Sequence, residues 1–337
     1  MNRLTTRLAR PLLLALAAAA SCGAAQAAGT ALNLGNYSVT ATYALEINPG
    51  SIGVSGLEAS AVTYARDRNS LFYVGDEGTG VIEISLTGQT LGTMAFDWTG
   101  TGSTKHDTES LAYLGNGQLV VGEERLYDAY KFSFANGGSA KLVNAGVSIS
   151  NDNVGNDGLE GLAYDPRNGG SFISVKQDVP EDIRAGTLTF GANLTGVSTL
   201  TTLFDPTKLG LSTLSDVAVL STVDSLIGTS AADHLLFLSL GSRMLVEADR
   251  SGNIISRFDL SNVLAHNGIE GVTIDQNGTI YLVAEQIQDS TAPANAASQL
   301  IVLSAVSPVP EPASATLLAV GALSLFSLAW QRRRQQR

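Results

Sequence analysis

Gly158-Leu159-Glu160-Gly161-Leu162-Ala163-Tyr164 is the phrase on which the reading of this chain turns. An acid is followed by a small residue and then an apolar run that suits a short strand, and the phrase recurs. Gly56-Leu57-Glu58-Ala59-Ser60-Ala61-Val62 and Thr108-Glu109-Ser110-Leu111-Ala112-Tyr113 precede it. Leu214-Ser215-Asp216-Val217-Ala218-Val219 and Gly268-Ile269-Glu270-Gly271-Val272-Thr273-Ile274 follow. The acids Glu58, Glu109, Glu160, Asp216 and Glu270 are 51, 51, 56 and 54 residues apart. A recurrence of that length is what a four-stranded propeller blade requires.

Working outward, each repeat carries strand signals. Leu71-Phe72-Tyr73-Val74, Val81-Ile82-Glu83-Ile84 and Tyr281-Leu282-Val283-Ala284 are short β-branched or aromatic runs. Gly115-Asn116-Gly117, Asn168-Gly169, Asn277-Gly278 and Gly88 supply the positive-φ residues of tight hairpins. The expected fold is all-β, a five-bladed β-propeller over residues 34–306. From Glu270 to Val306 is too short for a whole blade. The alternating stretch Tyr37 to Ile47 supplies the missing strand, so the last blade should be closed by the N-terminal strand, removing an open edge. Leu111, Ala112, Tyr113, Leu162, Ala163 and Tyr164 are expected between sheets. Asp67, Asp165, Asp249 and Asp275 are expected in turns.

Both ends read as addresses outside the fold. Residues 1–27 show a basic start, an apolar run from Pro11 to Ala20 and Ala25-Gln26-Ala27, the order of a signal peptide for signal peptidase. A competing reading acylates Cys22 as a lipoprotein. Residues 307–337 carry Pro310-Glu311-Pro312, an uncharged stretch at 313–330 long enough for a transmembrane helix, and Arg332–Arg334 in a basic tail. Together these three parts resemble the PEP-CTERM sorting signal. That resemblance implies a transient inner-membrane anchor, cleavage by an exosortase, and release to the cell surface or extracellular matrix.

Without the two ends, 13 Lys and Arg face 30 Asp and Glu. So acidic a body repels phosphate backbones, so no nucleic acid is expected as a partner. The sole Cys, in the leader, excludes a disulfide framework, and three histidines argue against a His-rich zinc site.

The first strand of each propeller blade lines the central channel, so Glu58, Glu109, Glu160, Asp216 and Glu270 should converge on one ring. The returning strands add Asp76, Glu77, Glu123, Glu124 and Glu285 at the same face. Two carboxylates about 6 Å apart repel by about 2.8 kcal/mol at an effective dielectric near 20. Such a cluster must protonate in part or hold a cation, and oxygen-only donors favour Ca²⁺. Acids at strand starts can also simply accept amide hydrogen bonds from a neighbouring blade. His106 and His266 lie three and four residues before ring acids and are expected in loops at the acidic mouth.

Glu109-Ser110-Leu111-Ala112-Tyr113 with Val121-Gly122-Glu123-Glu124-Arg125, Leu159 to Pro166, Ile269-Glu270-Gly271-Val272 and Val283-Ala284-Glu285 together resemble the SdiA-regulated family, whose rhythm NHL-like propellers share. The resemblance implies an exported five-bladed propeller with bound calcium and no established catalysis. Two departures stand out: Asp216 is followed by Val217 instead of Gly, and Lys176-Gln177 stands where an acid is expected. The preferred reading is a calcium-binding, non-catalytic interaction module for a surface protein or exopolysaccharide. The alternative is a calcium-dependent hydrolase of lactonase or phytase type. No Lys or Arg cluster accompanies the acids, as phytate would need. No Gly-x-Ser-x-Gly, Walker loop or His-Glu-x-x-His is present.

Overall fold

The computed structural model describes residues 31–50, 53–76, 78–150, 155–177, 181–286 and 297–306. Glu77, the expected leader with Cys22 and the expected C-terminal sorting signal with Pro310, Glu311 and Pro312 lie outside them. Among the described residues, no helix is long and apolar enough to cross a membrane.

The body is an all-β, five-bladed propeller. The inner strands are Ala59–Ala65, Thr108–Gly115, Leu159–Asp165, Asp216–Val219 and Ile269–Ile274, one for each of blades one to five. Every inner strand pairs antiparallel with the next strand of its blade. Alternating side chains leave one set facing each neighbouring blade, and those faces form the core. Phe72, Val74, Leu111 and Val121 pack together between blades one and two, all with at most 3% exposure. Val175, Val217, Phe237 and Val246 fill the contact between blades three and four. Truncating such a Leu or Phe to Ala typically costs about 2–5 kcal/mol.

Closure follows the expected route. Tyr37–Ala44 pairs antiparallel with Gln299–Ala305 and completes the fifth blade as its outermost strand. Tyr37 Oη also donates to the Gly278 carbonyl at 2.8 Å, bonding this strand to the inner hairpin of the same blade. Gly278, at φ 86°, occupies the left-handed turn that its Asn-Gly context called for. Blade one gains a fifth strand, because Ser139–Lys141 adds parallel to Thr90–Asp97. Blade four differs in another way. Residues 220–234 separate its first two strands and contain two short 3-10 turns, Asp224–Leu226 and Ser230–Asp233.

Candidate functional site

Four of the five inner strands begin with a register shift that the repeat phrases do not show. Pairing skips one residue between Ala59 and Ala61, Thr108 and Ser110, Leu159 and Gly161, and Ile269 and Gly271. The bulged residues are Ser60, Glu109, Glu160 and Glu270. A bulge leaves its extra residue out of the ladder and re-aims it, here at the same point of each blade. Blade four pairs without a shift from Asp216 onward. Matching its core phase to the others puts Ser215 at the ring position. The ring is therefore Ser60, Glu109, Glu160, Ser215 and Glu270.

Two expected ring members are thus displaced. Asp216 is 3% exposed and accepts the backbone N–H groups of Val217 (2.8 Å) and Val272 (2.7 Å), joining blade four to blade five. Burial lifts its carboxyl well above the usual range, against the pull of those two donors. It acts as the interblade acceptor that an acid at a strand start can be. Glu58 lies two residues before the bulge, at φ 57°. Its N–H donates to Gln286 Oε1 at 2.6 Å, and its carbonyl accepts from Ser60 Oγ at 2.8 Å and the Asp76 N–H at 2.9 Å. Its equivalent in blade two is Asp107, whose carbonyl accepts the Glu124 N–H at 2.9 Å.

The remaining acids gather. Asp76, Asp107 and Glu109 each offer a carboxylate oxygen, and these oxygens lie within 4.8 Å of one another. Burial raises the Glu109 carboxyl well above its ordinary range, and the charges of Glu160, Glu270, Asp76 and Glu124 raise it further. Glu160 is raised in the same way by burial and by Glu124, with which it shares a carboxyl-carboxyl hydrogen bond. Glu270 is raised by burial and then by the charge and hydrogen bond of Glu285. Glu124, 1% exposed, is raised by burial and accepts the Gly158 N–H at 3.1 Å.

Arg125 reaches this group but is engaged by Asp107 and Asn156. Glu123 holds its own loop instead, accepting from Ser103 Oγ and the Leu126 N–H, both at 2.7 Å. His106 stacks on Trp98 with ring centroids 5.1 Å apart, and its backbone N–H donates to Ser103 Oγ at 3.0 Å. His266 is exposed. Asp165, Asp249 and Asp275 cap turns through the N–H groups of Arg167, Ser251 and Asn277, as their positions suggested.

Asp107 is the candidate ligand that the repeat phrases missed. Its signal was its place two residues before the ring Glu, matching Glu58. The donors of the compact trio are oxygens only, from hard carboxylates, so a hard divalent ion fits this chemistry and a thiol- or imidazole-seeking one does not. The buried, mutually repelling carboxylates nearby are the charge that such an ion would neutralise.

The fold is similar to that of a Myxococcus xanthus glutaminyl cyclase, at 13% identity and a TM-score of 0.48, covering 80% of this chain and 97% of that one. It is also similar to a luciferin-regenerating enzyme, at 9% identity and a TM-score of 0.43, covering 80% and 96%. These are likenesses of architecture. The profile of the SdiA-regulated proteins matches residues 36–286, and the chain belongs to that family.

Proposed function

We propose that this propeller holds a calcium ion in its acidic mouth and serves as an exported, non-catalytic interaction module. The observation that carries the reading is the trio Asp76, Asp107 and Glu109, with oxygens within 4.8 Å, set beside the raised carboxyls of Glu160 and Glu270. The trio supplies first ligands from blades one and two. Glu124, Glu160, Glu270 and Glu285 supply the surrounding negative field. The ion would contribute charge neutralisation, binding together segments that otherwise repel.

The two ends support a route of export. Signal peptidase acts on residues 1–27, and exosortase acts near Pro310-Glu311-Pro312 after a transient stay in the inner membrane. The body is then delivered to the cell surface or matrix, where it meets a surface protein or exopolysaccharide. Mass spectrometry of the mature termini tests this route. Isothermal titration of the chelator-treated protein with Ca²⁺ tests the metal, with Glu109→Gln expected to weaken binding about tenfold or more. A lactone and phosphoester panel serves as the counter-test, and metal-dependent turnover would replace the binding role with a hydrolytic one.

A further inference from the structure

The central channel has a second end. The inner strands run away from the carboxylates, and near their far ends stand Tyr64, Tyr113 and Tyr164, which hold the same position in blades one, two and three. All three are half-buried: Tyr113 and Tyr164 pack against the interblade core, as expected, and each also keeps part of its surface open. With Arg66, Asp67 and Thr222 they line a cleft of about 550 Å³, within the size range of small-ligand sites.

Each ring is held in place. Tyr64 Oη donates to Asn69 Oδ1 at 3.2 Å. Tyr113 Oη accepts the Gly117 N–H at 2.8 Å, and its ring stacks on Phe72 at 5.8 Å and 15°. Tyr164 packs against Phe172 at 5.1 Å, over Gly170. A Cβ at Gly170, where φ is 93°, would fall 2.3 Å from the Tyr164 hydroxyl.

The charged side chains around the cleft are engaged. Arg66 donates to both Asp224 oxygens, at 2.8 and 3.1 Å, and to the Thr222 carbonyl at 3.2 Å. Asp67 accepts the Asn116 N–H at 3.0 Å. With Arg66 paired to Asp224 and Asp67 beside them, no free cation is left among the described residues of the lining to draw an anionic ligand. Rigid aromatic walls with a hydrogen-bonding rim match a ligand whose faces are apolar C–H and whose edges are hydroxyls.

We infer that this tyrosine-lined end of the channel binds a neutral saccharide. The inference deepens the interaction role proposed above and rests on it for the class of partner, but it does not need the metal. The test is calorimetry of the purified protein at 20 °C with maltotriose, cellotriose, chitotriose and mannotriose, and with trigalacturonate as the charged comparison, each with and without Ca²⁺. One neutral trisaccharide is expected to bind. Tyr64→Ala and Tyr164→Ala should each weaken that binding about tenfold, and Tyr164→Phe should stay within about threefold of wild type.

Unchanged circular dichroism and an unchanged calcium response in the variants show that a loss is local. Saccharide binding in calcium-free buffer upholds the inference whatever becomes of the metal. Calcium uptake with none of the four neutral trisaccharides bound overturns it and leaves the metal reading standing. Binding indifferent to both alanine variants, or preference for trigalacturonate, also overturns it.

Discussion

Protons and calcium should compete for the same oxygens, with opposite dependence on pH. Two carboxylates of the Asp76, Asp107 and Glu109 trio at the outer limit of 4.8 Å repel by about 3.5 kcal/mol at an effective dielectric near 20. In metal-free protein that repulsion is relieved by protonation. Burial first, and neighbouring carboxylates after it, raise the folded-state pKa values of Glu109, Glu160 and Glu270 well above the ordinary glutamate range. A raised carboxyl contributes stability that is fully present below its unfolded value, about 4.3, and is lost as pH climbs through the folded value. The metal-free protein should therefore melt at a lower temperature at pH 8 than at pH 5.

Calcium reverses the trend, because it binds the deprotonated oxygens. At about one hundred times its dissociation constant it adds about 2.7 kcal/mol, which for a domain of this size is a rise of about 5 °C. Differential scanning calorimetry at pH 5, 6.5 and 8, with EDTA and with Ca²⁺, measures both effects. The calcium-induced rise should be largest at pH 8 and should shrink in Glu109→Gln. A rise that is absent at pH 8, or larger at pH 5, would refute the reasoning.

Asp216→Ala leaves two buried N–H groups without their acceptor and should cost about 2–4 kcal/mol in urea unfolding, with the calcium-induced rise unchanged. A lost calcium response would return Asp216 to the metal site. Ser60→Glu places a fourth carboxylate at the ring position beside Glu270; the metal-free melting temperature should fall and the calcium-induced rise should grow. Truncation to residue 45 removes Tyr37–Ala44 and bares the Gln299–Ala305 edge, so size-exclusion chromatography should show aggregation in place of a monomer peak.

The architecture was legible because core phase and turn chemistry repeat. The apolar alternation of Val62, Leu111, Leu162, Val217 and Val272 marks the five inner strands, and the alternation from Tyr37 onward marks the closing one. The ring was less legible, for a physical reason. Matching repeats by their acids puts blade one out of phase by two residues and blade four by one, since Ser60 and Ser215 are the true equivalents of Glu160. Matching by the apolar residues instead would have recovered both serines and exposed Asp107. The bulges themselves leave no mark in composition, because an extra residue in the ladder is still an ordinary strand residue. Tyr113 and Tyr164 read as interior because they continue an apolar run. Their half-exposure comes from their place at the last turn of the inner strand, where the channel opens.

The seam that closes the ring also decides how the molecule can be held. Leu32 donates its N–H to Glu247 in blade four at 3.2 Å, and Val306 donates its N–H to the Asn36 carbonyl at 2.7 Å. Both ends of the body therefore depart from one spot on the perimeter, where blades four and five meet. A tether fixed there would grip the disc by its edge, as a hinge grips a shutter. The carboxylate side and the tyrosine side would stay open to different visitors at once.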